Sequence, residues 1–525
     1  MEFVRNLPAI SILICMFAAI ISSGLKGRAA RFLNTVVIIV VGVMSFITCL
    51  WCVDKGDYTV YVMGMFPAPF GNEIRFGVLE SGMATFFSII MALSIWGGRH
   101  KMKDEVATDK EFLYYVFLNL LFSSLLALVY TNDLFTAYVF VEINTISACG
   151  IIVIRENGRT IEAGVRYMIM SLLGSGLLLL GIMMTYDITG HLLMSNIKES
   201  VAAIHSSGEN LIPLVVTIAL LTTGLAIKSA LFPFHSWLPD AYGYSTVSSA
   251  AILSSLVSKG YIFLLIKIFY RVIGFDIIIG SKLLNVLFVF GLIGMISGSM
   301  SAIRENDIRR MIAFSSIAQI GYIYMGFGMG TTAGMVASIF HILSHAATKS
   351  MLFISAIGLT DVSHGSRHFV DLTGSAHRNK IAGIGFLVGS LSMVGIPLFS
   401  GFISKLQFMD AAVSLSYRKM LPALIVLGIS TILNAIYFMK TVIRIYMPLD
   451  KLGANRAQAD VVTNTIPVAK RMGINGIVEE SDKIHLRQEK LYGFVIILFV
   501  LLNIALGVCS NTVLEWIRTG IRMFS

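Results

Sequence analysis

Apolar stretches of roughly 20 residues, the length that crosses a bilayer as a helix, recur along almost the whole chain and are separated by short polar connections. About fourteen such spans fall at 7–24, 32–53, 78–97, 112–130, 133–154, 164–186, 211–231, 246–270, 284–303, 311–329, 333–358, 382–411, 421–447 and 491–514. The pattern predicts an all-α polytopic membrane protein. MEFVRN leads into the first span with no small-residue cleavage site, so that span is expected to stay as a helix. The aromatic, Pro- and Gly-punctuated segment 58–76 predicts a short hairpin. The polar 449–490 stretch reads as a solvated linker.

Two spans carry the same interruption. LFPFHSWLPDA (231–241) and GIPLFSGFISKLQ (395–407) each place Pro, then Phe, then a Ser-containing turn within apolar sequence. Proline removes a backbone hydrogen bond and breaks a helix. The breaks fall in spans 7 and 12, and an odd number of spans between two copies inverts the second. Inverted repeats with broken helices are where transporters place ion sites.

Composition agrees. Of 525 residues, 56% are hydrophobic and 13% charged, about half the charge of a soluble domain, and the mean hydropathy is +0.81. A soluble fold, a disordered chain and a disulfide scaffold are excluded. The net charge of +10 would suit nucleic acid, but the basic residues alternate from loop to loop. One set holds Lys26, Arg28 and Arg31; Arg99, Lys101, Lys103 and Lys110; Arg155, Arg159 and Arg166; Arg304, Arg309 and Arg310; Arg367, Arg378 and Lys380; and the 449–490 connection. The other set is sparse: Lys55, Arg75, Lys198, Arg271, Lys282, Arg418 and Lys419. The positive-inside rule puts the first set in the cytoplasm and both termini outside. Cys15, Cys49, Cys52, Cys149 and Cys509 lie in or beside apolar spans. The one CxxC has no second pair to complete a metal site, so all read as small apolar residues.

Charges inside spans carry the chemistry. Glu142, Lys228, Lys259 and Lys405 stand within apolar runs, and His341, His345 and Lys349 share one helix face at i, i+4 and i+8. Lys267 and Lys440, near span ends, are expected to snorkel to the interface. Each mid-span Lys or Glu costs roughly 2.5–3.5 kcal/mol to insert, so four cost on the order of 10 kcal/mol, comparable with a protein's whole stability. Such a penalty on separate helices favours function over accident. The 341–345 HxxxH has Ile342 where a zinc protease needs Glu, and phosphate loops and nucleotide fingerprints are missing from the sequence. Burial disfavours a charged amine and a nearby carboxylate favours it. At about 6 Å and an effective dielectric of 20, a Glu–Lys pair is worth about 3 kcal/mol. Parting and closing such a pair releases and reloads a proton, so the row of lysines and histidines reads as a proton relay.

GLAIKSALFPFHSWLPDAY, NDIRRMIAFSSIAQIGYI and HILSHAATKSMLF resemble the antiporter-like subunits of respiratory complex I, and MFPAPFGNEI is most similar to the D subunit of Mrp-type multisubunit sodium/proton antiporters. Energy-converting membrane-bound hydrogenases have similar subunits. The likeness covers roughly residues 60–445. It implies fourteen helices with inverted five-helix repeats, helices 4–8 (residues 111–271) and 9–13 (283–447), after an N-terminal part (1–110) and before a linker (448–490) and a last helix (491–525). It also implies that Glu142 and Lys228 load a proton that passes by Lys259 and the His341/His345 pair to Lys405. After LPDA the family usually carries a proline, whereas this chain has Thr246, a departure from the family pattern at the start of helix 8.

The expectation is therefore an ion-translocating subunit of a multisubunit complex in the cell's inner membrane. It moves protons, with exchange against sodium left open, and carries no cofactor, metal or redox centre, so its energy comes from partner subunits. Whether the parent is an Mrp antiporter, a hydrogenase or a quinone oxidoreductase stays open. So do two other readings: a stand-alone transporter for a small solute, and a non-pumping scaffold.

Overall fold

The computed structural model describes residues 2–66, 71–448 and 490–524. The linker, apart from its two ends, lies outside the described residues. Every apolar stretch becomes helix: Glu2–Ser23, Gly27–Lys55, Val78–Glu105, Glu111–Tyr130, Leu134–Val153, Gly158–Thr189, Leu211–Lys228, Val247–Ile273, Leu283–Arg304, Ile308–Gly328, Thr332–Asp361, Lys380–Val394 with Ser400–Val413, Tyr417–Tyr446 and Lys490–Val508. Among the described residues, 13 helices are long and apolar enough to cross a membrane unaided, and span 12 is made of two shorter helices. Some starts carry side-chain caps, as where Asp133 accepts from the Thr136 amide at 2.6 Å, a contact worth about 1 kcal/mol.

Burial sorts the spans. Spans 8 and 11 are wholly buried and span 10 is 94% buried over its apolar window, against 33% for span 2 and 39% for spans 6 and 13. The outer spans turn Ile169, Leu173 and Ile432 outward, the surface that hydrocarbon covers in a bilayer. Packing repeats five spans on: 4 lies along 5 and 6 along 7, while 9 lies along 10 and 11 along both halves of 12. Spans 6 and 7 touch backbone to backbone. A Cβ on Gly174 would come within 2.9 Å of the Gly224 carbonyl oxygen and 3.1 Å of Lys228 Cγ.

Both breaks are real. Span 7 stops at Lys228, passes Ala230 in a left-handed conformation (φ 62°) and Pro233, and resumes at Leu238–Tyr244. Span 12 stops at Val394, passes Gly395 (φ 92°) and Leu398 (φ 86°), and resumes at Ser400. Positive φ at Ala and Leu is uncommon; the Ala230 turn is buried, whereas the Leu398 turn is exposed.

The hairpin is present: β1 (Thr59–Val62) pairs antiparallel with β2 (Glu73–Phe76), Val60 opposite Arg75. Span 8 starts cleanly despite lacking proline, because Thr246 caps it by accepting from the Ser249 amide at 3.2 Å. It then widens into π turns at Leu253–Val257 and Ile268–Ile273. Two amphipathic helices were missed. Met194–Ser207 joins spans 6 and 7, and Ser510–Arg522 follows the last span, whose helix ends at Val508 and not 514. Their half-polar faces lack the continuous hydropathy that marks a span.

Candidate functional site

Glu142 and Lys228 meet between spans 5 and 7, with Lys228 Nζ 3.7 Å from Glu142 Oε1. The lysine side chain is fully buried and the carboxylate is 24% exposed. Ser175 donates to the same Oε1. Lys228 donates to Thr145 Oγ1 at 2.7 Å and lies over the Tyr261 ring at 5.5 Å. Tyr261 in turn donates to Asn144 at 2.9 Å. Lys228 is the last residue of span 7's helix, and its amine lies against span 5.

Tyr261 stands two residues past Lys259. That lysine is buried in the middle of span 8 and donates to the Ser254 carbonyl and to Ser258 Oγ at 3.1 Å. The π turn at Leu253–Val257 sits directly before it, and widened turns of this kind gather at functional sites. Lys349 donates to the Ile312 carbonyl at 2.8 Å and to Ser315.

The histidines stack, ring centroids 5.8 Å apart, and His341 also stacks on Tyr322 at 5.5 Å. His341 Nδ1 shares a 2.6 Å hydrogen bond with Ser404 Oγ, one residue before Lys405. Among the described residues His341 Nε2 and both His345 nitrogens have no protein hydrogen-bond partner. Lys405 donates to the Val394 carbonyl at 2.7 Å, an acceptor freed where span 12 breaks, and lies over Tyr322 at 5.9 Å. Of the seven residues picked from the sequence, Glu142 and Lys228 form a pair, His341 and His345 stack, Ser404 links His341 to the helix that carries half-buried Lys405, and Lys259 and Lys349 are buried on spans 8 and 11. Thr145, Ser175, Tyr261, Tyr322 and Ser404 join them. Their types gave no signal, since Ser, Thr and Tyr are ordinary in membrane helices.

The reading of Lys267 was wrong. It does not snorkel: it is fully buried and donates to the carbonyls of Leu128 at 3.3 Å, Val129 at 3.0 Å and Thr131, the last acceptors of span 4. Lys440 is exposed, as expected. Arg271 and Arg309 are not loop charges either. Arg271 is buried against Glu80 of span 3, and Arg309 is buried and donates to the Ser245 carbonyl at 2.5 Å. Position near a span end hid both. Beside the hairpin, Arg75 donates to the Met523 carbonyl at 2.9 Å; burial, reinforced by the Arg271 charge, pushes its guanidinium down to about 10.

Residues 131–432 match the family described as NADH:quinone oxidoreductase/Mrp antiporter, TM. The chain is 31% identical over 394 residues to NADH-quinone oxidoreductase subunit N of Desulforudis audaxviator, covering 75% of this chain and 76% of that one. It is 33% identical over 361 residues to putative antiporter subunit mnhA2 of Staphylococcus haemolyticus, covering 66% of this chain but only 42% of that longer one. A chain in the structure of the Mrp complex from Dietzia sp. DQ12-45-1b has the same fold, with a TM-score of 0.81 and 23% identity over 99% of this chain and 97% of that one.

Proposed function

Because the chain belongs to the NADH:quinone oxidoreductase/Mrp antiporter transmembrane family, we propose that it is an antiporter-like membrane subunit that relays protons along Glu142, Lys228, Lys259, the His345/His341 stack and Lys405, with Lys349 setting the local charge. The observation that carries this reading is the Glu142–Lys228 contact. A fully buried ammonium 3.7 Å from a partly exposed carboxylate is the arrangement in which small helix movements change proton affinity.

The remaining steps follow from chemistry. When Glu142 turns away, Lys228 loses the charge that favours its protonated form and passes its proton toward Lys259. The Tyr261 and Asn144 hydroxyl and amide groups lie between the two lysines' surroundings. The free imidazole nitrogens of His345 and His341 can accept on one side and donate on the other. Lys405, held at the break, is the last titratable stop. The repeats 111–271 and 283–447 each hold one break, so each half supplies a hinge. Exchange against sodium would be imposed by partner subunits, which the family's membership of multisubunit complexes supports.

The loop charges support both termini facing out from an inner membrane. The test is proton movement in sealed vesicles carrying the assembled complex. Lys228→Ala and Glu142→Ala should each abolish the pH change while native gels still show full assembly. Intact pumping in either variant would overturn the relay; loss of assembly together with pumping would favour a scaffold.

A further inference from the structure

Four loops meet at the end of the molecule opposite the hairpin, between spans 5 and 6, 7 and 8, 9 and 10, and 11 and 12. Between them lies an open cavity of about 570 Å³ lined by Arg155, Arg159, Tyr244, Asp307, Arg367 and His368. None of these belongs to the relay. We propose that this cavity binds a phosphate group, carried by an anionic lipid headgroup or free in solution.

Charge is the first argument. Three guanidiniums line the space against one carboxylate, and that carboxylate is engaged: Asp307 accepts from the Arg309 and Arg310 amides at 2.8 and 3.1 Å. Arg155 is partly balanced by Glu105 at 3.6 Å and donates to the Tyr244 carbonyl at 3.0 Å. Arg367 spends one N–H on the Gly243 carbonyl at 2.9 Å. Each guanidinium has five donors, so most of both remain available. Arg159 is exposed and lies over the Tyr244 ring at 5.5 Å.

Geometry is the second. Arg159 sits in the first turn of the Gly158–Thr189 helix, where the helix dipole adds positive potential. The arginines come from two loops on different halves of the chain, and several guanidiniums around one space suit an anion with several acceptor oxygens, such as phosphate. The volume accepts a phosphate with a glycerol attached, and basic pockets between membrane helices are typical headgroup sites. An occupant would tie the 155–159 loop to the 365–368 loop, and so the span 4–8 side to the span 9–13 side.

The experiment uses the purified complex in nanodiscs of phosphatidylcholine alone, of phosphatidylcholine with phosphatidylglycerol, and of phosphatidylcholine with added inorganic phosphate, against chloride at equal ionic strength. Thermal unfolding and lipid retained by native mass spectrometry are read. The expected result is a higher midpoint with phosphatidylglycerol, and retained lipid that falls about tenfold in Arg159→Glu, as for loss of one charge-assisted contact. A rise with inorganic phosphate that is equally lost in Arg159→Glu assigns the site to free phosphate. Arg159→Ala, on an exposed position, checks that the charge reversal has not merely unfolded the loop. No rise with either phosphate source, or a rise unchanged in both variants, overturns the proposal.

Discussion

Glu80 on span 3 and Arg271 at the end of span 8 form an ion pair in which both side chains are 1% exposed. Glu80 also accepts from the Gly77 amide at 3.0 Å, closing the start of its own helix. Arg271 lies 4.0 Å over the Phe524 ring. Through these two contacts Arg271 joins span 3, span 8 and the residues that follow the C-terminal helix.

Breaking that pair from one side should be worse than removing it. Arg271→Met leaves a buried carboxylate alone and should destabilise by about 3–5 kcal/mol. The Glu80→Gln, Arg271→Met double variant should recover much of the loss. Thermal melts in detergent compare them; a double variant less stable than the single one would contradict the account.

Lys267 is expected to be structural. Lys267→Met keeps the volume but strips hydrogen bonds from the span 4 carbonyls, costing about 1–3 kcal/mol. Pumping per assembled complex should be unchanged. A stable Lys267→Met complex that no longer pumps would move this lysine into the relay.

Close approach of spans 6 and 7 positions Lys228. Gly174→Ala, whose Cβ would meet Gly224 and Lys228, should cost about 1–3 kcal/mol through overpacking. Gly176, two residues on, has open space around its Cβ position, and Gly176→Ala should be silent. Equal melting temperatures for the two variants would show that the contact does not matter.

Thr145→Val tests the amine's surroundings. Valine matches the shape but cannot accept from Lys228, whose 2.7 Å bond is worth about 1–1.5 kcal/mol. Proton movement should slow by about tenfold with assembly intact. His345→Ala removes a ring with no protein hydrogen bond among the described residues, so it orphans no partner; pumping should fall by at least about tenfold. Vesicle assays that find His345→Ala fully active would take this ring out of the path.

The number of spans, the two breaks, the hairpin and the placement of seven ionisable residues inside spans were all legible in the chain. Each rests on one-dimensional physics: a helix needs about 20 apolar residues to cross a bilayer, proline interrupts it, and a charge in hydrocarbon is costly enough to stand out. Lys267, Arg271 and Arg309 were not legible. Near a span end a basic residue has two outcomes, reaching out to water or turning in to a partner, and the sequence is the same for both. The choice depends on which helix packs alongside, span 4 for Lys267 and span 3 for Arg271. The same holds for Thr145, Ser175 and Ser404, polar groups whose role comes only from facing an amine, a carboxylate or an imidazole across a helix interface. Periodicity and hydropathy determined what crosses the membrane, and the packing of one helix against another decided which buried charge has a partner.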